Sequence, residues 1–172
     1  AKQNGGNLKI SYQDEHLKSI MGMMITIQTV WHIVKQIGSN FDIEFKVEAY
    51  RDDKGNANKI CTNMPSSEVR DKWLTNFTNA WIDDLKYDQN IEGHLLPVVS
   101  VPKRTLTHWR VLSITCGNKK LSIYPDGGFI NEWNIARQPN GERFEVETIT
   151  YDTKIYLYRN KDIKFDIAIE NC

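Results

Sequence analysis

Apolar residues between positions 17 and 37 recur every three or four residues, which is the spacing of an α-helix. The stripe consists of Leu17, Ile20, Met21, Met24, Ile27, Val30, Trp31, Val34 and Ile37. Ser11 followed by Asp14 has the pattern of a helix N-cap, and Gly38 suits a C-terminal end. The sequence therefore predicts a first helix that begins near Ser11 and ends near Gly38.

Residues 41–50 alternate strictly between apolar and polar side chains, which is typical of a strand with one buried face. A turn-rich stretch, RDDKGNAN, follows it. The segment 64–85 then predicts a second helix, with Ser66 or Ser67 as its N-cap. The apolar stripe of this second helix consists of Val69, Trp73, Phe77, Trp81 and Leu85.

The last third of the chain contains short strand candidates separated by turn residues. They are His108–Cys116, Leu121–Tyr124, Phe129–Asn134, Phe144–Tyr151, Ile155–Arg159 and Ile163–Ile169. Because short connections join antiparallel neighbours, the fold class expected is α+β, with two helices packed on one face of an antiparallel, meander-type sheet. We expect a single domain, residues 1–172, in which 1–10 are loose, 11–96 form a helix–strand–helix part and 97–172 form the meander.

The composition is that of a globular protein, with 40% hydrophobic and 26% charged residues. Lys plus Arg and Asp plus Glu both number 22, and this neutral balance disfavours a binder of duplex DNA. The cysteines Cys61, Cys116 and Cys172 form no CxxC, which argues against a disulfide framework and a cysteine zinc site. We therefore expect an intracellular protein, in the cytoplasm, with no membrane insertion.

Asp42, Glu44 and Lys46 offer one catalytic alternative. Acids and a lysine on one face of a strand suit a metal-dependent nuclease, in which the acids hold a divalent ion. The acid-x-lysine pattern recurs at Asp152/Lys154 and Asp162/Lys164, however, as expected for any solvated strand in a charged chain. Since the chain also has no P-loop, GxSxG or HExxH motif, we expect no catalytic residue, no cofactor and no bound metal.

Lys103, Arg104, Trp109 and Arg110 suggest a second alternative, a weak binder of single-stranded nucleic acid. Basic side chains can hold phosphates and a tryptophan can stack on a base. Alternation along a strand would place Trp109 and Arg110 on opposite faces, however. A nucleic-acid partner is therefore an open alternative that we do not favour.

The aromatic stripe of the second helix supports the function that we favour. Trp73, Phe77 and Trp81 lie at helical spacing and either pack on the sheet or anchor a partner, as aromatic residues do in interfaces. Because no catalytic constellation is convincing, we expect a non-catalytic protein-interaction module or a subunit of a larger assembly, with a protein partner.

Overall fold

The computed structural model of the chain describes residues 7–15, 17–50, 64, 66–102, 104–106, 110–125, 133–135, 157–159 and 165–171. The helices are α1 (Ile20–Ile37) and α2 (Ser67–Gln89). The strands are β1 (Leu8–Asp14), β2 (Phe41–Glu48), β3 (Gly93–Leu95), β4 (Val99–Val101), β5 (Val111–Cys116), β6 (Lys119–Pro125), β7 (Trp133–Ile135), β8 (Leu157–Arg159) and β9 (Phe165–Asn171). Neither described helix is long and apolar enough to cross a membrane.

A seven-stranded mixed sheet organises the described part of the chain. Its strand order is β3-β2-β1-β5-β6-β9, and β4 also pairs with β2. Strand β2 is parallel to β1, β3 and β4. The pairs β1–β5, β5–β6 and β6–β9 are antiparallel. Strands β7 and β8 form a separate antiparallel pair.

The prediction of a purely antiparallel meander is wrong, because β1 was mistaken for the start of a helix. The alternation of Leu8, Ile10 and Tyr12 belongs to a strand that begins inside the segment expected to be loose. Ser11 pairs with Glu44 in the sheet instead of capping a helix. The hydroxyl that caps α1 is that of Ser19, which accepts a hydrogen bond from the Gly22 amide. Helices α1 and α2 therefore connect parallel strands, as in βαβ units.

The strand candidates in the last third of the chain agree better with the structure than the prediction for the first half does. Strand β6 runs antiparallel to both of its neighbours, β5 and β9. The short turn between β5 and β6 agrees with the prediction, whereas β6 and β9 are far apart in the chain and their pairing departs from a meander. The candidate Phe144–Tyr151 lies outside the described residues. The α+β class with two helices stands, and the error concerns the direction of the strands in the first half of the chain.

One face of the sheet carries the core. The buried residues of the strands are Leu8, Ile10, Tyr12, Phe41, Ile43, Phe45, Val47, Leu112 and Ile114, and those of the helices include Ile20, Met23, Ile27, Val30, Val34, Leu74, Phe77, Trp81 and Leu85. The two crossover connections, β1–α1–β2 and β2–α2–β3, each lead to the next strand in the same direction along the sheet. With the usual right-handed connection, both helices then cover the same face. The opposite face carries the polar residues of β1 and β2 and is only partly buried.

Gly93 lets α2 and β3 approach the core closely. It pairs with Phe41, whose ring is fully buried and lies 5.7 Å from the Trp81 ring, measured between centroids. A Cβ atom at position 93 would lie 2.3 Å from Cζ of Phe41. The ring could not move away without disturbing Trp81, so the position requires glycine.

Gly93→Ala should destabilise the protein by about 1–3 kcal/mol, as expected for an overpacked core. Chemical unfolding would measure the loss, with Asn118→Ala at an exposed turn as control. Phe41→Leu in the Gly93→Ala background should cost less than Phe41→Leu alone, because the smaller side chain makes room. Additive losses would contradict the proposed close approach.

Candidate functional site

The carboxyl ends of the parallel strands form the most highly charged buried region of the described chain. Strand β1 ends at Asp14, β2 at Glu48 and β4 at Val101, and α1 and α2 begin at this same edge. Ligands of sheets with helical crossovers commonly bind here. We call this group the carboxyl-edge cluster; it comprises Tyr12, Asp14, Glu48, Arg70, Asp71, Ser100 and Arg110.

Arg70, in the first turn of α2, is the centre of the cluster. Its side chain is 0% exposed. Nη1 donates hydrogen bonds to the carbonyl oxygens of Glu48, at 2.7 Å, and Leu17, at 3.4 Å. Because Leu17 precedes α1 and Glu48 ends β2, one guanidinium joins α2 to both preceding elements.

Asp71 and Ser100 complete the pairing of Arg70. Nε of Arg70 donates to Oδ1 of Asp71 at 2.7 Å, and Nη2 donates to the Ser100 hydroxyl at 2.9 Å. The same hydroxyl donates to Oδ2 of Asp71 at 2.7 Å. A closed ring of three side chains thus holds β4 against the start of α2. All three guanidinium nitrogens have acceptors, which is what makes the burial of this charge tolerable.

Tyr50 packs beside the guanidinium and anchors the chain on both sides of residues 51–63, which lie outside the described ranges. The side-chain cations of Arg70 and Lys18 both lie 5.2 Å from the centroid of its ring, a distance suitable for cation–π attraction. Its hydroxyl donates to the Met64 carbonyl at 2.9 Å, and its carbonyl accepts from the Ser67 amide at 3.1 Å. The start of α2 is therefore tied to the end of β2.

A second buried chain of polar groups begins at Tyr12. Its hydroxyl donates to Oδ2 of Asp14 at 2.9 Å, while Nε of Arg110 lies 3.3 Å from Oδ1. Burial, and then the neighbouring Asp14 carboxylate, raise the pKa of the Tyr12 phenol well above 10.0. Arg110 opposes this shift only weakly, so the phenol is held as a donor.

Glu48 is also committed to the fold, since its Oε1 accepts a hydrogen bond from the Leu106 amide at 3.0 Å. Within the described ranges, no group of three or more His, Cys, Asp and Glu side chains could hold a metal ion. The contacts of the cluster thus join α1, α2, β2, β4 and the segment before β5. Its two arginines, Arg70 and Arg110, form ion pairs with Asp71 and Asp14. The arrangement is suited to holding these elements together.

The residues of the nuclease hypothesis lie elsewhere. Asp42, Glu44 and Lys46 share the sheet face opposite the helices. Oδ1 of Asp42 lies 3.4 Å from Nδ1 of His94, on the neighbouring strand. Asp14 lies on the helix-covered face, so it does not converge with Glu44, although both strands are adjacent.

The three aromatic residues of the predicted α2 stripe have different surroundings. Trp81 and Phe77 are buried in the core, whereas Trp73 is half-buried and stacks on Phe77 with ring centroids 4.7 Å apart. Of the three, only Trp73 offers part of its surface to another molecule.

The basic segment is only partly described, since Lys103 and Trp109 lie outside the described residues. Arg104 is exposed and has a positive φ of 65°, which is uncommon for a residue with a side chain. Arg110 is mostly buried and paired with Asp14, so its charge serves the fold.

The carboxyl-edge cluster was missed by sequence reasoning, although signals for it exist. Arg70 is in register with the buried residues Leu74, Phe77 and Trp81 of α2. An arginine on the apolar line of a helix indicates a buried, paired charge. Asp14 similarly continues the buried alternation of β1, which becomes visible once residues 8–14 are read as a strand.

The raised pKa of Tyr12 predicts a stability change at alkaline pH. The unfolded chain loses this proton above about pH 10, whereas the folded protein retains it, so the stabilisation is present below pH 10 and is lost as pH rises. Urea unfolding at several pH values should show wild-type stability falling more steeply above pH 10 than that of Tyr12→Phe. The extra slope should approach about 1.4 kcal/mol per pH unit. Parallel profiles would contradict the assignment.

Comparison with models of protein families gives a match over nearly the whole chain. The model of the family described as "DEAD/DEAH box helicase YjiV, C-terminal domain" matches residues 2–164. Neither the curated proteins nor the solved structures include a match to this chain. Because the family model covers nearly all of the 172 residues, the chain belongs to the family of the C-terminal domain of the DEAD/DEAH box helicase YjiV.

Proposed function

We propose that the chain is a non-catalytic docking domain of a DEAD/DEAH box helicase and that it binds the ATP-hydrolysing body of that helicase. The family description supports its place in a larger helicase assembly, inside the cell. The chain itself has no GxxxxGK[ST] motif, so ATP hydrolysis would come from another part of the assembly. The observation that carries the proposal is a second stripe on α2, beside the buried one, whose side chains are exposed or half-buried.

The second stripe consists of Val69, Trp73, Ala80 and Tyr87, and we call it the outer stripe. Trp73, Ala80 and Tyr87 are separated by seven residues, or about two helical turns, so they lie on one side of α2. Val69 is 43% exposed and Tyr87 is 92% exposed. The fold does not use these apolar side chains fully, and aromatic residues in such positions are common anchors of interfaces.

The charges beside the outer stripe favour a protein partner over a nucleic acid. Asp83, Asp84 and Asp88 are exposed in the C-terminal part of α2, with Lys86 as the nearby base. Acids near the C-terminus of a helix are unfavourable with the helix dipole, so helix stability does not explain them. They would repel phosphates and attract a basic protein surface.

The carboxyl-edge cluster supports a non-catalytic role. The Arg70 guanidinium and the Asp14 carboxylate are both satisfied by contacts inside the domain. A catalytic group must instead be free to contact a substrate. The nuclease and nucleic-acid alternatives remain predictions, and the binding experiment below separates them from docking.

Tyr87→Ala should weaken binding of the 172-residue chain to the separately produced helicase body. Loss of an exposed aromatic anchor should cost at least about 2 kcal/mol of binding free energy, or roughly thirtyfold in Kd. Isothermal titration calorimetry would measure this. Because Tyr87 is 92% exposed, the folding stability should not change.

Asn79→Ala is the matched control, since Asn79 is exposed on α2 but lies off the outer stripe. Equal binding by Tyr87→Ala and wild type would contradict docking through this helix. Binding of a single-stranded oligonucleotide that Arg104→Ala abolishes would favour the nucleic-acid alternative. Metal-dependent cleavage lost in Glu44→Ala would favour the nuclease.

A further inference from the structure

Strand β9 is the last strand in the order of the main sheet. Among the described strands it pairs with β6 alone. It is seven residues long, and its sequence FDIAIEN contains neither proline nor lysine, which commonly protect edge strands. A long edge strand of this kind can accept a further strand from another molecule.

The side chains of β9 support the same conclusion. Ile167 and Ile169 pair with Ile123 and Leu121, so they continue the apolar, helix-covered face of the sheet. They nevertheless remain 66% and 77% exposed. An added strand with apolar residues at matching positions would pack beside them and remove part of this surface from water.

Acidic residues alternate with these isoleucines on β9. Asp166 and Glu170 are exposed on the polar face, and the segment 165–171 itself has no basic residue. Nζ of Lys120 on β6 lies 3.8 Å from Oε2 of Glu170, an exposed pair that balances this charge only in part. Two copies that paired through β9 about a two-fold axis would run antiparallel. With all seven residues paired, Asp166 of each copy would oppose Glu170 of the other, which is unfavourable.

We infer that β9 accepts a strand from a protein partner, and that this strand carries Lys or Arg opposite Asp166 and Glu170 and apolar residues between them. Charge complementarity selects this partner, while like-charge repulsion disfavours a second copy of the same chain. The surface is separate from the outer stripe of α2. The inference about β9 can therefore be tested independently of the proposed function.

The probe is a fluorescein-labelled peptide that contains Lys-Val-Thr-Val-Lys, a palindromic order that matches β9 in either strand direction. Fluorescence anisotropy should show binding to the 172-residue chain about tenfold tighter than for the same peptide with Glu in place of both lysines. Asp166→Lys should lose this preference, and Asp84→Lys, an exposed acid on α2, should keep it. Tyr87→Ala should also keep it, because α2 is not involved.

Sedimentation velocity provides a second measurement that does not depend on a peptide. Asp166→Lys should not weaken any dimer that the wild-type chain forms. The substitution should instead favour dimers, because it places opposite charges across the two-fold axis. Equal binding of both peptides, no binding of either, or a wild-type dimer that Asp166→Lys disrupts would each overturn the inference.

Discussion

The buried guanidinium of Arg70 is the interaction on which the arrangement of the sheet and its helices depends. It contacts the backbone of Leu17, three residues before α1, the end of β2, a side chain of β4 and its own neighbour in α2. Hydrophobic packing alone is not directional and would hold these elements less specifically. A fully buried charge, in contrast, must find nearly all of its acceptors at once, and here they come from four segments that are far apart in sequence.

Because the charged groups of the carboxyl edge serve the fold, the interactions proposed for this domain lie on its surface. At the carboxyl edge, where many related architectures bind ligands, the described charged groups contact one another or the backbone. Among the described residues, the outer stripe of α2 and the edge strand β9 both leave apolar side chains exposed. Both combine exposed apolar residues with nearby acids, and for this reason the partners proposed for them are basic protein surfaces. In the proposed role, the domain contributes contacts to a helicase assembly and other parts carry out the chemistry.

Sequence reasoning recovered the existence of both helices, the alternation of β2 and the antiparallel strands β5, β6 and β9. These depend on local periodicity, which a single sequence shows directly. It failed where local patterns conflict. Residues 8–14 precede a long helical stripe, and Ser11 resembled its cap, so the strand was absorbed into the helix and the parallel pairing with β2 was lost. In α2 the apolar line was misplaced by about one residue at the N-terminal end, where Arg70 rather than Val69 is buried. Only tertiary contacts, which join residues many positions apart, reveal that an arginine belongs to the core.

Equilibrium unfolding of Arg70→Met tests this account most directly. Methionine retains much of the volume of the side chain but removes the donor to the carbonyl oxygens of Leu17 and Glu48 and to Oδ1 of Asp71. The account predicts a loss of about 3–5 kcal/mol in the free energy of unfolding. Lys72→Met, at an exposed position two residues away, should change it by less than about 0.5 kcal/mol. If both variants unfold at the wild-type denaturant concentration, Arg70 does not hold the carboxyl edge together and the account is wrong.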